Sequence, residues 1–208
     1  DTFIDIGGHF GYFSMLAREL VGEDGTVVTF EPMPQTRAIL TKNLTENAAQ
    51  AKQFIIPAAA GDTPAKVKFK DFGLTGSAFA TAGSVRDVRF QAQSEVDVDV
   101  RKLDDVVKEI GLASCRLIKI DAENAEMQVV VGAEKMLAEF KPNIILETGD
   151  DSAGDHLSRP VVERLMKAGY VPYEFKDWAL VPHDLQGSYG YKNLLLVHED
   201  NAADLTGA

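Results

Sequence analysis

The sequence is poor in cysteine and in basic residues, and it has no long apolar run. Its one cysteine, Cys115, cannot form an internal disulfide or a cysteine-based zinc site, so a reducing, cytoplasmic compartment is the default. No apolar run approaches the ~18 residues of a membrane-spanning helix. Lys and Arg total 21 against 32 Asp and Glu, a net charge of −11, and no basic tract offers contacts to phosphates. We therefore expect no nucleic-acid partner and no membrane association.

The remaining composition is that of an ordinary globular protein. Hydrophobic residues make up 45% and charged residues 25% of 208 residues, which is enough for one sizeable core. There are no internal repeats, heptads or linkers, so we predict a single domain over residues 1–208. The sequence starts at Asp1 without Met and reaches an apolar run by Phe3. We expect that an upstream segment is missing.

Short apolar runs alternate with amphipathic segments along most of the chain. This rhythm is typical of a parallel sheet with crossover helices, and so predicts an α/β fold. The predicted strands are Thr2–Ile6, Thr26–Glu31, Gln53–Ala58, Arg116–Asp121, Asn143–Glu147, Val171–Phe175 and Lys192–Val197. The predicted helices are Tyr12–Val21, Pro34–Asn47, Leu103–Ile110, Ala125–Phe140 and Arg159–Ala168.

The middle of the chain breaks this rhythm. Val67 and Phe69 alternate with lysines, and the valines of Glu95–Arg101 alternate with charged residues, a pattern typical of half-buried strands. We predict that residues 66–101 form an antiparallel excursion that carries the Gly- and Ser-rich loop Gly73–Ser84. Later in the chain, Trp178 lies in a hydrophobic segment and is expected in the core.

Acidic residues lie at or just beyond the ends of five predicted strands. Ligands of open parallel sheets bind at the carboxyl ends of the strands, where the strand order reverses. Carboxylates are costly in an apolar interior, so each should emerge at this edge. The ligand is therefore expected to carry several hydrogen-bond donors. The five residues are Asp5, Glu31, Asp62, Asp121 and Glu147.

The first strand leads into the glycine-rich turn Gly7-Gly8-His9-Phe10-Gly11, which opens a helix and lets a ligand approach the backbone. A dinucleotide fingerprint would need glycine where Ile6 stands, and Asp5 would repel a pyrophosphate. An acid before the glycines suits a cationic ligand such as S-adenosylmethionine. Glu31 is well placed to accept hydrogen bonds from ribose hydroxyls, a role that both cofactor classes share. The sequence therefore favours S-adenosylmethionine over a nicotinamide cofactor.

These residues resemble the FkbM-type, S-adenosylmethionine-dependent methyltransferases, in order and over nearly the whole chain. The opening Asp5–Ser14 is similar to the family's D-V-G-A-N-x-G-Y-x-S, and Phe30–Pro34 to F-E-P-x-P. The block Ile118–Glu126 resembles I-K-I-D-V-E-G-A-E. Weaker matches are Ala59–Asp62, Leu103–Asp105, Gly132-Ala133, Leu146-Glu147 and Tyr191–Leu195.

The resemblance implies a Rossmann-like class I methyltransferase fold, with a mostly parallel seven-stranded sheet, helices on both faces and an antiparallel last strand. It places Asp5, Gly7 and Gly11 at the methionine portion of S-adenosyl-L-methionine. In the same way it places Glu31 at the ribose and Asp62 at the adenine edge. Gly8 belongs to the same cofactor loop, and Asp121 would lie beside the sulfonium and the acceptor. The reaction expected is methylation of a hydroxyl on a sugar, a polyketide or another small molecule.

Two residues depart from the family pattern. His9 replaces an amide and is either a strut of the cofactor loop or a base on the acceptor side. Asn124 replaces a glycine and is the best-tolerated substitute if that turn needs a positive φ. A hydroxyl acceptor needs a base within hydrogen-bond reach. We expect Asp121 or Glu123 in that role, with His9 behind them, and no metal, because the four histidines show no ligand spacing.

Two other functions stay open on the sequence. One is a nicotinamide-dependent oxidoreductase, which Ile6 and Asp5 disfavour. The other is a non-catalytic ligand-binding module that has kept the fold, supported only by Asn124 and the missing front. Self-association into a homo-oligomer and the identity of the small hydroxylated acceptor are also left open.

Overall fold

The alternation of apolar and amphipathic segments produces two β-sheets in the computed structural model, which describes residues 1–46, 50–74, 92–150 and 156–205. The strands, in chain order, are β1 (Thr2–Ile6), β2 (Thr26–Phe30), β3 (Lys52–Ile56), β4 (Ala59–Ala60), β5 (Ala65–Asp71), β6 (Ser94–Arg101), β7 (Leu117–Ile120), β8 (Asn143–Thr148), β9 (Tyr170–Lys176), β10 (Ala179–Pro182) and β11 (Lys192–His198). Seven of them match the seven strands predicted for the main sheet, with ends that differ by one or two residues.

In the described part of the chain the larger sheet has eight strands, in the order β10-β9-β11-β8-β7-β1-β2-β3. The pairs from β8 to β3 are all parallel, whereas β11 runs antiparallel to both of its neighbours. The seven predicted strands are therefore contiguous, with the last strand antiparallel as expected. The eighth strand, β10, extends the sheet at its edge.

Within the described residues, six α-helices cover the two faces of this sheet. They are α1 (Tyr12–Leu20), α2 (Pro34–Glu46), α3 (Leu103–Ile110), α4 (Glu126–Gly132), α5 (Glu134–Phe140) and α6 (Ser158–Lys167), and a 3-10 helix follows at Glu199–Leu205. Helices α1 and α2 contact each other on one face, and α3 to α6 pack together on the other. The described helices include none that could cross a bilayer, since all are too short or too polar.

The central strands are buried on both faces, which explains their continuous apolar runs. In β1, Ile4 and Ile6 belong to the main core beneath α3 to α6, whereas Phe3 packs with Ala17 of α1. Because side chains alternate along a strand, Asp5 shares the α1 face with Phe3. A polar residue is therefore placed between the sheet and a helix.

The predicted helix Ala125–Phe140 is two helices, α4 and α5, which meet at Ala133. Gly132 is the last residue of α4, and at this point the helix passes very close to the chain after β4. A Cβ at Gly132 would lie 2.0 Å from the carbonyl oxygen of Gly61. The close approach to Gly61 permits no side chain at this position.

Trp178 is not in the core: its side chain is 93% exposed. It occupies the tip of the β9–β10 hairpin, where Asp177 and Trp178 both have positive φ, as in a two-residue type I′ turn. Its ring meets Phe175 edge to face, with 6.3 Å between the ring centroids. The hairpin that carries it was not predicted, which is why the expectation for Trp178 is wrong.

The antiparallel excursion forms a separate three-stranded sheet in the order β4-β6-β5. Strands β5 and β6 pair antiparallel from Ala65 with Val100 to Asp71 with Ser94. Strand β4, which was not predicted, runs parallel to β6. Most of the predicted loop Gly73–Ser84 lies outside the described residues.

Candidate active site

A cavity of about 740 Å³ opens at the carboxyl ends of the parallel strands. This is the edge where an open α/β sheet binds its ligands. Its walls come from the segments that follow β1, β2, β7 and β8, from the chain around β4, and from the residue before β11. The lining includes Gly7, Gly8, His9, Phe10, Tyr12, Phe13, Glu31, Ala59, Ala60, Lys119, Asp121, Glu123, Asn124, Glu126, Glu147 and Tyr191.

The glycine loop, residues 7–11, lies directly against the ends of three strands. The N–H groups of Gly7 and Gly8 both donate to the carbonyl of Phe30, at 3.1 and 3.0 Å. Gly7 has φ 79°, and a Cβ there would lie 2.0 Å from the carbonyl oxygen of Asp121. Glycine is therefore required at position 7 both by the backbone conformation and by the lack of space. The loop follows β1 in the chain and packs against the end of β7.

Glu31 is a buried carboxylate, 5% exposed, at the end of β2. Its two oxygens accept hydrogen bonds from the backbone N–H groups of His9 and Met33, both at 2.9 Å. Burial raises the pKa of Glu31 to about 7, and the two N–H donors oppose this rise. The side chain is thereby fixed in the cavity wall, with its remaining lone pairs available to a ligand that donates hydrogen bonds.

Asp5 departs from the expectation that each strand-end carboxylate emerges at the edge, because it is only 1% exposed. Its Oδ2 accepts a hydrogen bond from the Ser14 hydroxyl of α1 at 2.6 Å, and Oδ1 has no partner among the described residues. Burial raises the pKa of Asp5. A Cβ on Gly8 would come within 3.6 Å of Oδ2, so Asp5 lies behind the glycine loop and does not line the cavity.

Three carboxylates meet at the opposite end of the cavity: Asp121 after β7, Glu123 two residues later and Glu147 in β8. We call Asp121, Glu123 and Glu147 the carboxylate trio. One oxygen of each lies within 4.8 Å of the others. Burial and the neighbouring acids raise the pKa of Glu123 to about 8 and that of Glu147 to about 7. A site of this kind attracts a cation, either a metal ion or the positive group of a ligand.

Lys119 is the cation next to the trio. It is 4% exposed, and its Nζ donates to Asp121 Oδ2 at 2.6 Å. The ammonium also lies 4.9 Å from the ring centroid of Phe13, which forms part of the cavity wall. Sheet register places Lys119 beside Asp5, and Asp5 beside Thr29. The sequence signal for the pair Lys119–Asp121 is a lysine inside the apolar strand Leu117–Ile120. Lys119 was not among the residues singled out from the sequence.

The turn between β7 and α4 carries Asp121 and Glu123 of the trio. Glu123 and Asn124 both have positive φ, at 48° and 78°. Asn124 therefore occupies a conformation that glycine would favour, as the sequence suggested. Glu126 Oε1 accepts hydrogen bonds from the N–H groups of Ala122 and Asn124, at 3.0 and 3.3 Å. The role of Glu126 is thus to close this turn.

Aromatic side chains form the mouth of the cavity. Tyr12 and Phe13 of α1 meet edge to face, with 5.1 Å between ring centroids. On the other side lies Tyr191, which is 80% exposed. Interaction of its hydroxyl with the Glu147 carboxylate raises the pKa of Tyr191 to about 12. Tyr12 and Tyr191 both lie in segments that resemble the family pattern, but sequence reasoning gave no site role to these rings.

The residues predicted for the site divide into two groups. Those that line one cavity are Gly7, Gly8, His9, Glu31, Asp121 and Glu123. Asp5, Gly11 and Asp62 are not part of its lining. His9 contributes its backbone N–H to Glu31, its ring lies 3.8 Å from that of Phe10 between centroids, and burial lowers its pKa. The hydrogen bond to Glu31 and the ring contact with Phe10 both hold His9 within the glycine loop.

The chain matches the family model described as "Methyltransferase FkbM domain" over residues 5–172. It is 28% identical over 202 residues to methyltransferase sdnD of Sordaria araneosa, covering 85% of this chain and 76% of that protein. It is also 30% identical over 158 residues to the 31-O-demethyl-FK506 methyltransferase FkbM of Streptomyces tacrolimicus, covering 64% of this chain and 60% of that protein.

Solved structures share the fold at low sequence identity. Methyltransferase FkbM from Methylobacillus flagellatus KT has a TM-score of 0.58 and 15% identity, over 94% of this chain. This chain spans only 43% of that protein. Fibrillarin from Aeropyrum pernix, solved with natively bound S-adenosyl-L-methionine, has a TM-score of 0.53 and 12% identity, covering 94% of this chain and 65% of that one. At such identities the likeness shows the fold.

Proposed function

Because this chain belongs to the FkbM family of methyltransferases, we propose that it transfers the methyl group of S-adenosylmethionine to a hydroxyl group of a small molecule. Its sheet has the class I methyltransferase arrangement. One observation carries this function: the glycine loop and Glu31 face the carboxylate trio across a single cavity. One end offers hydrogen-bond acceptors, and the other attracts positive charge.

The residues around the glycine loop fit the cofactor. Glu31 would accept hydrogen bonds from the ribose hydroxyls, since its side chain is already held by two backbone donors. Gly7, Gly8 and Gly11 would shape the loop around the methionine portion, with Asp5 behind it. Asp62 follows β4, whose Ala59 and Ala60 line the cavity, and would meet the adenine edge. Asp121 would lie beside the sulfonium.

When bound, S-adenosylmethionine supplies an electrophilic methyl group on a cationic sulfur. The protein must then align the acceptor oxygen with that methyl group and remove the hydroxyl proton. The sequence points to Asp121 or Glu123 as the base, with His9 behind them. The structure adds Glu147 to the candidates, because it lies with them at the same end of the cavity. These acids also favour a neutral or cationic acceptor, since anions would be repelled.

Cofactor binding is tested by titrating the protein calorimetrically with S-adenosylmethionine, S-adenosylhomocysteine and NAD⁺, together with thermal melts. A ligand at 100 times its Kd stabilises the fold by ~2.7 kcal/mol, which raises Tm by several degrees. We expect this for the first two ligands. Binding of NAD⁺ with neither of the others would instead favour an oxidoreductase.

The acceptor class is tested by transfer of a radiolabelled methyl group to a panel of methyl glycosides and hydroxylated polyketides. We expect product with at least one panel member, and the position of the label then identifies the acceptor atom. Cofactor binding without transfer to any member would favour a non-catalytic ligand-binding module. We place the reaction in the cytoplasm, because the single cysteine suits a reducing compartment.

A further inference from the structure

We propose that Glu147 receives the proton of the acceptor hydroxyl and that Tyr191 positions Glu147 for this step, an inference that rests on the proposed methyl transfer. Glu147 lies in β8 and Tyr191 directly precedes β11, the neighbouring strand. Both residues line the cavity. Neither was expected to act as the base or to position it.

A series of polar side chains lies across the ends of three strands. Lys119 of β7 donates to Asp121 at 2.6 Å. One carboxylate oxygen of Asp121 lies within 4.8 Å of one of Glu147, and the hydroxyl of Tyr191 favours the ionised form of Glu147. Because the ammonium of Lys119 is paired with Asp121, Glu147 is the carboxyl group of this series that can take up a proton.

The position of Glu147 in the sheet places it on the acceptor side. The strands lie in the order β11-β8-β7-β1-β2. The glycine loop follows β1 and Glu31 follows β2, whereas Glu147 lies in β8, on the far side of β7. If the ribose lies at Glu31 and the methionine portion at the glycine loop, the sulfonium faces Asp121. The acceptor oxygen must approach the methyl group from the side away from sulfur, which is the side of β8 and β11.

Tyr191 is held by a rigid segment although its ring is exposed. Two residues earlier, the Tyr189 N–H donates to Asp150 Oδ2 at 2.8 Å, and the Asp150 N–H donates to the Tyr189 carbonyl at 2.8 Å. Tyr189 itself is buried. The segment packs beside Gly149, where an added Cβ would be in ordinary van der Waals contact with Tyr191 Cα at 3.6 Å. The Tyr191 hydroxyl is thereby presented to Glu147 from a fixed backbone.

The protonation behaviour of Glu147 supports this role. Burial and the neighbouring acid raise its pKa to about 7, while the nearby Tyr191 hydroxyl favours the ionised form. A base with a pKa near the working pH is efficient, because it is partly ionised and still binds a proton well. Glu123, with a pKa of about 8, is protonated more of the time at pH 7. Asp121 is already paired with an ammonium group.

The step balances without any further reactant. The acceptor O–H bond breaks and its proton passes to the Glu147 carboxylate, while the acceptor oxygen forms a bond to the methyl carbon. The bond from methyl carbon to sulfur breaks, and its electron pair stays on sulfur. The products are the methyl ether and neutral S-adenosylhomocysteine, and Glu147 then releases its proton to water.

The placement of Glu147 is tested with sinefungin, an S-adenosylmethionine analogue in which a carbon bearing an amino group replaces the methyl-bearing sulfur. Its ammonium group marks the position of the transferred methyl. We measure the Kd of sinefungin and of S-adenosylhomocysteine calorimetrically at pH 6 to 9. In Glu147→Gln the preference for sinefungin falls at least tenfold at pH 8, while the Kd of S-adenosylhomocysteine stays within threefold.

Tyr191→Phe separates positioning from a structural role. Loss of the hydroxyl removes a donor that stabilises ionised Glu147, so the pH at which the sinefungin preference appears moves upward. Tyr173→Phe is the matched control, since Tyr173 lies on β9 and is not part of the cavity lining. A Tyr191→Phe profile that coincides with the wild-type profile contradicts the positioning role.

The base role is tested by methyl transfer to the panel of methyl glycosides and hydroxylated polyketides. Glu147→Gln should lower turnover at least a hundredfold, the usual effect of losing a general base. Wild-type turnover in this variant overturns the assignment. If wild-type protein binds neither sinefungin nor S-adenosylhomocysteine, the proposed function fails and this inference fails with it. Normal binding with an unchanged preference in Glu147→Gln refutes only the inference.

Discussion

The two ends of the cavity hold buried acids in opposite ways. At one end Glu31 is a single carboxylate whose two oxygens accept backbone hydrogen bonds. At the other end three carboxylates face one another, and the cation paired with them is Lys119, bound to Asp121. Both ends raise carboxyl pKa values, but donors oppose the rise at Glu31, whereas neighbouring charges add to it at Glu123 and Glu147.

This difference indicates what each end is built to meet. A carboxylate fixed by donors keeps its orientation and suits directional hydrogen bonds from neutral hydroxyls. Carboxylates that repel one another are costly in the free protein and are relieved by an arriving positive charge. The Glu31 end is therefore preorganised. At the trio end, the ionised carboxylates become favourable only when a positively charged ligand is present.

Gly7 lies between the two ends of the cavity, because it belongs to the glycine loop and packs against Asp121 of the trio. Its replacement should have the largest effect of the variants considered, on the free energy of unfolding. In Gly7→Ala the left-handed backbone costs about 1–2 kcal/mol. The clash with the Asp121 carbonyl adds about 1–3 kcal/mol, because the ends of β1 and β7 must separate. We expect the free energy of unfolding to fall by about 2–5 kcal/mol in urea titrations followed by circular dichroism.

Gly22→Ala is the matched control for this variant. Gly22 has a similar φ of 75°, but no atom lies within 4 Å of the Cβ that would be added. Its cost should be limited to the same backbone strain, about 1–2 kcal/mol. Equal losses in the two variants would show that the contact between Gly7 and Asp121 is unimportant.

Glu31→Ala tests the preorganised end. The variant loses the acceptor proposed for the ribose and leaves the N–H groups of His9 and Met33 without their partner. Hydrogen bonds to a charged group contribute about 1.5–3 kcal/mol, so the Kd for S-adenosylmethionine should rise ~100-fold in calorimetric titrations. Glu19→Ala removes an exposed acid of α1 and should leave the Kd within twofold. Similar weakening in both would indicate a general effect of charge.

The contrast between the two ends explains how far the sequence alone could lead. Local patterns were sufficient for the strands and for the glycine loop, because alternation and glycine turns depend on neighbouring residues. The positive φ of Asn124 was also accessible, since few residues tolerate that conformation. Glu31 could be identified because it directly follows β2.

The pairings at the other end could not be foreseen, because they depend on which strands become neighbours. Lys119 meets Asp5 only when β7 lies beside β1, and Glu147 meets Tyr191 only when β11 inserts between β8 and β9. The close contact of Gly132 with Gly61 likewise depends on the packing of α4 against the chain after β4. Burial of Asp5 follows from the helix that covers it, through Ser14.

The pH dependence of binding should distinguish the two ends. S-adenosylmethionine and S-adenosylhomocysteine differ only in the charged methyl sulfonium, so both report on Glu31 and only the first reports on the carboxylate trio. Glu147 and Glu123 ionise around pH 7 and 8, and a cation binds the ionised forms better. The ratio of the two Kd values should shift about tenfold towards S-adenosylmethionine between pH 6 and 8.5. A constant ratio would mean that the trio does not face the sulfonium.

The smallest effect expected is a gain in the stability of the free protein when one acid of the trio is neutralised. The pKa of Glu123 is raised in the folded state to about 8, so the folded protein binds more protons than the unfolded chain between about pH 4.5 and 8. The contribution of the protonated group to stability is present at low pH and is lost as the pH rises through this window.

Glu123→Gln should therefore unfold at the same urea concentration as wild type near pH 4.5 and be more stable at pH 8.5. Because Glu123 is partly exposed to solvent, we expect a gain of only about 1 kcal/mol, or a few degrees in Tm. Glu163→Gln is the opposite case, since Lys167 lowers the pKa of exposed Glu163. That control should gain nothing at pH 8.5. A stabilisation of Glu123→Gln that is the same at both pH values would attribute the gain to packing and not to repulsion within the trio.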